Sequence, residues 1–253
     1  MTNLKTKPKP DLSFETAHRL AGRISVGVDE VGRGCLAGPV VTAAVVLPEF
    51  VFDAAANSNA ETAWWLELND SKLLKPAHRE RLAALIHEHA QVEVSWCSVE
   101  EVDRFNILHA SMIAMRKALE PFAGKAQTVL VDGHIDPFQV RYRCEPGLQQ
   151  KWGFSHIETL VKGDQRSMSI AAASIVAKVY RDRWMLTLDE QYPGYSFGVH
   201  KGYSTPAHYK AIGLLGPCAL HRMSFAPFSL KSQGPKDCTA QAHDGKQTMS
   251  FKF

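Results

Sequence analysis

The sequence predicts an α/β fold, a mixed sheet flanked by helices, and three observations carry that expectation. Two apolar, β-prone runs lie close together near the start, at 24–31 and 37–47. Downstream, short strand-like runs alternate with helical stripes. The strongest helical pattern, 167–190, contains an Ala-Ala-Ala-Ser patch small enough to pack closely against a sheet. At 253 residues the chain has ample material for a core. Residues 1–22 read as a polar N-terminal leader, 23–230 as the folded domain and 231–253 as a flexible tail.

Taken in order, 24–31 and 37–47 are joined by a Gly-Arg-Gly turn, which suggests antiparallel pairing. Residues 76–90 open with Pro and repeat Leu82, Leu85 and Ile86, the mark of an amphipathic helix. VEVSWC at 92–97 alternates as a strand does. Over 99–119 the apolar positions Val102, Phe105, Ile107, Leu108, Met112, Met115 and Leu119 fall mainly on one helical stripe. TVLVDG at 128–133 reads as a buried strand with Asp132 at its tip. Residues 138–144 are a weaker strand candidate, and the polar stretch 145–157 reads as a loop.

Hydrophobic residues make up 45% of the chain and charged residues 22%, as in ordinary water-soluble proteins. A net charge of +3 permits a nucleic-acid partner without demanding one. Five scattered cysteines without a C-x-x-C pair argue against a zinc site and against a full disulfide framework. The N-terminus has no apolar signal region, and no apolar run reaches the length of a membrane span. A cytoplasmic protein with reduced thiols and no membrane contact is the expectation.

The chemistry concentrates in VGVDEVGRG, residues 26–34, where Asp29 and Glu30 run from an apolar strand into Gly32-Arg33-Gly34. Buried carboxylates need compensation, and two glycines around a cation allow a backbone to approach a phosphate closely. Asp132, and Asp164 in Val-Lys-Gly-Asp, stand at the edges of later elements. Taken singly, such an Asp is more often a turn former or helix cap. Four together at one sheet edge would repel unless cations neutralised them, and hard oxygen donors favour Mg²⁺ or Mn²⁺. Two such ions can support phosphodiester hydrolysis. One objection is geometric: neighbours in a regular strand point to opposite faces, so the strand should end, twist or bulge at Asp29 and Glu30.

DEVGRG, NDSK at 69–72, NILHA at 106–110, VDG at 131–133, KGD at 162–164, SIAAASIVAKVYRD at 169–182, HKGY at 200–203 and HRMSF at 221–225 together resemble ribonuclease HII. The motifs run in family order across 24–228. The resemblance implies a ribonuclease H-like catalytic domain with a small helical C-terminal extension. It implies an endonuclease that cuts the RNA strand of RNA–DNA hybrids and duplex DNA at a single embedded ribonucleotide. It makes Asp29, Glu30, Asp132 and Asp164 the metal ligands, and Gly32, Arg33 and Gly34 the readers of the ribose 2′-hydroxyl and its neighbouring phosphate. Tyr203 would stack near the following deoxyribose, and Lys72 would grip the backbone with Ser71 as a hydroxyl donor. Leu73 stands where a second lysine is frequent in the family, which puts that further contact in doubt.

Arg166 and Ser174 could also face the duplex, although close helix packing accounts equally well for Ser174. Lys178 and Arg181 read as solvated helix-face charges, and Asp70 as a turn or capping residue. His200 and His221 are either phosphate contacts or structural imidazoles. The five tryptophans read as core or interface residues. Gln247 to Phe251 loosely resembles peptides that dock on sliding clamps, and the chain is otherwise expected to act as a monomer. Two rivals stand beside the main reading: another nuclease or resolvase of the same fold, and a catalytically silent hybrid-binding module. The full set of four acids speaks against silence.

Overall fold

Among the described residues five strands build one sheet: β1 (Ser25–Val31), β2 (Val40–Val46), β3 (Gln91–Cys97), β4 (Thr128–Asp132) and β5 (His156–Leu160). Their order is β3-β2-β1-β4-β5. The first three pair antiparallel, whereas β4 and β5 run parallel to β1, so the sheet is mixed as expected. The computed structural model describes residues 9–53, 63–139 and 153–229. The tail, its clamp-like peptide and most of the weaker strand candidate at 138–144 lie outside the described residues.

The two faces of the sheet are covered by different helices. Helix α5 (Met168–Gln191) crosses one face, where its Ala171-Ala172-Ala173 run packs with Ala43 and Val45 of β2 and with Leu82 and Ile86 of α2 (Pro76–His89). The crossing is close: a Cβ on Gly27 would stand 2.4 Å from the Ser169 carbonyl carbon, which is why β1 has a glycine there. The opposite face packs Val26, Val28 and Val131 against Met112, Met115 and Leu119 of α4 (Ile107–Leu119). Trp64 and Trp65 are buried in the α5 layer.

Three elements differ from expectation. The stripe over 99–119 is two helices, α3 (Val99–Phe105) and α4, broken at Asn106. Asn106 takes a positive φ of 65° and its side chain accepts the His109 N–H at 3.1 Å, so it starts a new helix. The loop expected over 145–157 ends in β5. That edge strand exposes or half-exposes His156 to Thr159 and buries only Leu160, so it shows no apolar alternation.

Part of the polar leader is built into the fold as α1 (Ser13–Leu20). Its Glu15 is buried and accepts hydrogen bonds from Ser167 Oγ, Ser169 Oγ and the Ser169 N–H at the start of α5. Two short helices, α6 (Phe197–His200) and α7 (Pro206–Leu215), make the C-terminal helical part.

Candidate active site

Strand β1 keeps regular pairing with β2 through Asp29↔Ala43, Glu30↔Thr42 and Val31↔Val41, so the expected break or bulge is absent. Even positions of β1 face α4 and odd positions face α5, which places Glu30 on one face and Asp29 on the other. The two acids straddle the end of the strand instead of sharing a face. Parallel β4 is in register Val28↔Val131, and one residue further on Asp132 comes level with Asp29. Asp132 Oδ1 accepts the Gly163 N–H at 2.6 Å, which draws in the turn that carries Asp164.

The charges act on one another. Burial, then Glu30 and Asp132, hold the Asp29 pKa well above the usual carboxylate range. Burial pushes Glu30 up to about 6 against the opposing pull of Arg33, whose Nη1 donates to Glu30 Oε1 at 2.9 Å. Burial, followed by Asp132 and Asp70, raises Asp164 to about 6. Lys72 lies on the open side, its side chain 76% exposed, with Nζ 3.7 Å from Asp164 and 3.8 Å from Asp70. Burial opposes its charge, but four surrounding carboxylates keep its pKa above normal.

Ser71 and Ser174 are buried, with their hydroxyls 2.9 Å apart, and Ser174 in turn hydrogen-bonds Asp29. They brace the cluster from beneath. Asp70 accepts its bonds from the Lys72 N–H and the Gln165 side-chain amide, the turn-forming role expected of it. Arg166 is not drawn to the carboxylates, since its guanidinium lies over the Phe14 ring of α1 at 5.0 Å.

The connection from Gly32 to Pro39 is held by two arginines. Arg181, fully buried, donates to the carbonyls of Pro39, Ala37 and Lys201 at 2.8–3.0 Å. The expectation of a solvated helix-face charge is therefore wrong for Arg181. Lys178 is also mostly buried and pairs with Asp182 at 2.7 Å. Arg222, also fully buried, donates twice to Gly38 and once to the Arg33 carbonyl. Burial and the nearby Arg181 lower its pKa to about 10.

Gly32 has φ +92°, and a Cβ there would meet Arg181 Nε at 2.3 Å, so this turn requires glycine. A Cβ on Gly34 would meet nothing within 4 Å, leaving that peptide open to a ligand. Leu36 N–H donates to the Gly202 carbonyl at 2.8 Å, and Tyr203 follows directly, 38% exposed, with Lys178 Nζ 5.5 Å from its ring centroid. The glycine turn and Tyr203 thus belong to one stapled unit.

His200 and His221 are buried, which favours the structural reading over phosphate contact. Gly202 N–H donates to His200 Nδ1, leaving Nε2 to donate to the Tyr195 carbonyl. His208 Nδ1 donates to the Tyr203 carbonyl, so its Nε2 accepts from His221 Nε2 at 3.1 Å. His221 Nδ1 then accepts the Cys218 N–H. This chain requires neutral rings, and burial lowers the pKa of His208 and brings His221 to about 4. Arg181, Arg222 and His208 are the supports that sequence reasoning missed. Arg181 lies seven residues after Ser174, two helical turns on, so it shares the sheet-facing side of α5.

The donor set fits divalent cations. Glu30 Oε2 is buried without a hydrogen-bond partner among the described residues, the acids raise one another's pKa values, and the donors are hard oxygens. Among the described residues no three acidic, histidine or cysteine side chains stand together in a grouping that could hold a metal ion as they are placed here, so the fit is one of donor chemistry and not of a preformed cage.

Comparison with known proteins gives a consistent result. The family model described as Ribonuclease HII matches residues 26–228. A Ribonuclease HII from Parvibaculum lavamentivorans is 44% identical over 226 residues, which cover 88% of this chain and 75% of that protein. One from Cereibacter sphaeroides is 45% identical over 219 residues, 86% of this chain and 92% of that protein. Among solved structures, a chain of the PCNA:RNase HII complex from Archaeoglobus fulgidus superposes with a TM-score of 0.61 at 25% identity, covering 83% of this chain and 98% of that one.

Proposed function

Since the chain belongs to the ribonuclease HII family and is a ribonuclease H enzyme of ribonuclease H-like fold, we propose that it cuts the RNA strand of RNA–DNA hybrids and nicks duplex DNA on the 5′ side of a single embedded ribonucleotide. The observation that carries this reading is the meeting of four carboxylates with the Gly32–Gly34 turn at one end of β1 and β4.

Asp29, Glu30, Asp132 and Asp164 would hold two divalent cations, Mg²⁺ or Mn²⁺. Bound there, such ions supply activation of the attacking water and neutralise charge on the leaving oxygen, giving 5′-phosphate and 3′-hydroxyl ends. The chain's own part is to orient and select. Glu30 holds Arg33 at the mouth of the turn, and the open Gly34 peptide can approach a sugar closely enough to sense its 2′-hydroxyl. Lys72, exposed beside Asp164, is placed to hold a backbone phosphate. Tyr203 offers a ring to the next sugar, which a deoxyribose fits more closely than a ribose. Ser71 and Ser174 position Asp29 rather than the substrate.

We also propose a monomeric, cytoplasmic enzyme that docks on a sliding clamp through its C-terminal tail. The complex from Archaeoglobus fulgidus, which pairs an RNase HII with PCNA, supports the clamp as a partner class. Deleting residues 246–253 should abolish clamp capture in a pull-down, and unchanged capture would refute the tail's role.

A labelled duplex carrying one ribonucleotide, incubated with Mg²⁺ beside an all-DNA duplex, tests the activity. Cutting of the first duplex alone is expected, whereas equal cutting of both would refute the reading. Asp132→Asn should reduce cleavage at least a thousandfold while hybrid binding, followed by gel shift in EDTA, stays within about threefold.

A further inference from the structure

Lys72 and Tyr203 stand on separate elements, one in the turn before α2 and the other just after α6. A single carboxylate on α5 reaches toward both. Asp182 Oδ1 accepts from Lys178 Nζ at 2.7 Å, and its Oδ2 lies 3.9 Å from Arg79 Nη2. Each of these cations then touches one of the two elements. Arg79, in the first turn of α2, donates through Nη1 to the carbonyls of Ser71 at 2.9 Å and Leu74 at 2.6 Å, on either side of Lys72. Lys178 Nζ faces the Tyr203 ring, 5.5 Å from its centroid.

Withdrawal from water sets this trio apart from an ordinary helix-surface pair. A Lys and an Asp four residues apart on a helix are usually solvated and contribute little. Here the side chains of Arg79, Lys178 and Asp182 are 12%, 14% and 17% exposed. Desolvating two cations around one anion costs stability that apolar residues of similar size would not. What the trio supplies is a fixed geometry, with Asp182 holding both cations and each cation holding one element. Burial, then Cys35, raise the Tyr203 pKa, and the Asp182 charge adds to that rise. Arg181, the preceding residue of α5, holds the Lys201 carbonyl, so neighbouring positions of one helix secure the backbone before Tyr203 and the face of its ring.

We propose that Asp182 is a positioning residue for the ribonucleotide junction: through Arg79 and Lys178 it fixes the span between the phosphate grip at Lys72 and the ring of Tyr203. A duplex with one embedded ribonucleotide presents a phosphate and a deoxyribose that must meet both at once. A long hybrid presents ribose at the following position too, so it depends on the grip more than on the ring. The inference rests on the roles proposed above for Lys72 and Tyr203.

The test measures kcat and KM in Mg²⁺ on a single-ribonucleotide duplex and on a long hybrid, with melting temperatures alongside, for the full chain and three variants. Asp182→Asn keeps the shape and removes the charge. It should raise KM on both substrates about fivefold or more and lower the preference for the single-ribonucleotide duplex, the ratio of the two kcat/KM values, by about as much. Lys178→Met should lower that preference while KM on the long hybrid stays within about twofold, and Arg79→Met should raise both KM values while the preference stays within about twofold. If Asp182→Asn fails to fold, the opposite signatures of the other two variants decide. A role in folding alone would lower the melting temperature and depress both substrates equally. Equal loss on both substrates in every variant, or wild-type values in Asp182→Asn, would overturn the positioning role. Failure of the wild type to nick the single-ribonucleotide duplex would overturn the underlying reading and this role with it, whereas wild-type nicking with unchanged variants would overturn the role alone.

Discussion

Asp164 carries two opposed demands. Held at a pKa of about 6 by burial and by Asp132 and Asp70, it resists the ionised form that its proposed role as a metal ligand requires. The sign of the consequence follows from proton uptake. Between the ordinary carboxylate pKa near 4 and the raised value, the folded state binds more protons than the unfolded one, so this group's stabilising share is lost as pH rises through about 6. Glu30 behaves the same way, whereas His221, lowered to about 4, gains stability with rising pH over an overlapping window. The two sets oppose each other, so a variant is a cleaner probe than the pH profile of the wild type. In EDTA at pH 8, Asp164→Asn should be more stable than the wild type by roughly 1–2 kcal/mol, and the gap should close near pH 4. Adding Mg²⁺ should raise the wild-type melting temperature more than that of the variant. At the other side of the site, Tyr203→Ala should slow nicking at single ribonucleotides at least tenfold more than it slows cleavage of long hybrids, measured as kcat/KM on both substrates.

Helix α5 shows what the sequence discloses about an element and what it hides. Its length and its Ala-Ala-Ala-Ser patch announced a helix lying close on a sheet, because small side chains are what a close crossing needs. Arg181 was hidden because a charge on a helix is ordinarily solvated. Its burial depends on carbonyls from residues 37, 39 and 201, which only the fold assembles. Arg181→Met would leave three buried carbonyls unpaired and should lower stability by roughly 3 kcal/mol. Arg181→Lys keeps the charge but cannot span both turns, and should lower kcat/KM on single-ribonucleotide substrates more than on long hybrids. The edge strand β5 and the break at Asn106 were illegible for a related reason. Neither leaves a hydrophobic pattern, since one is set by pairing with β4 and the other by a side-chain cap.

At the scale of the whole molecule, the parallel register of β1 and β4 brings Asp29 level with Asp132, and the Gly163 bond adds Asp164. The acids themselves were readable because carboxylates in apolar strands are costly. Their arrangement on opposite faces of an unbroken strand was not, since it depends on how the sheet end meets α5. The opposite end of the sheet is organised by α1, which composition alone made look like a leader.

The central claim is that carboxylates do the cutting while the glycine turn decides that the sugar is ribose. Its most direct test is cleavage by the wild type in Mg²⁺ of three duplexes identical except at one position, carrying ribose, deoxyribose or 2′-O-methyl ribose there. A single cut immediately 5′ of the ribose, leaving a 3′-hydroxyl end, with both other duplexes intact, is the predicted result. Comparable cutting of the 2′-O-methyl or deoxyribose duplex, or a cut placed elsewhere, would contradict the account.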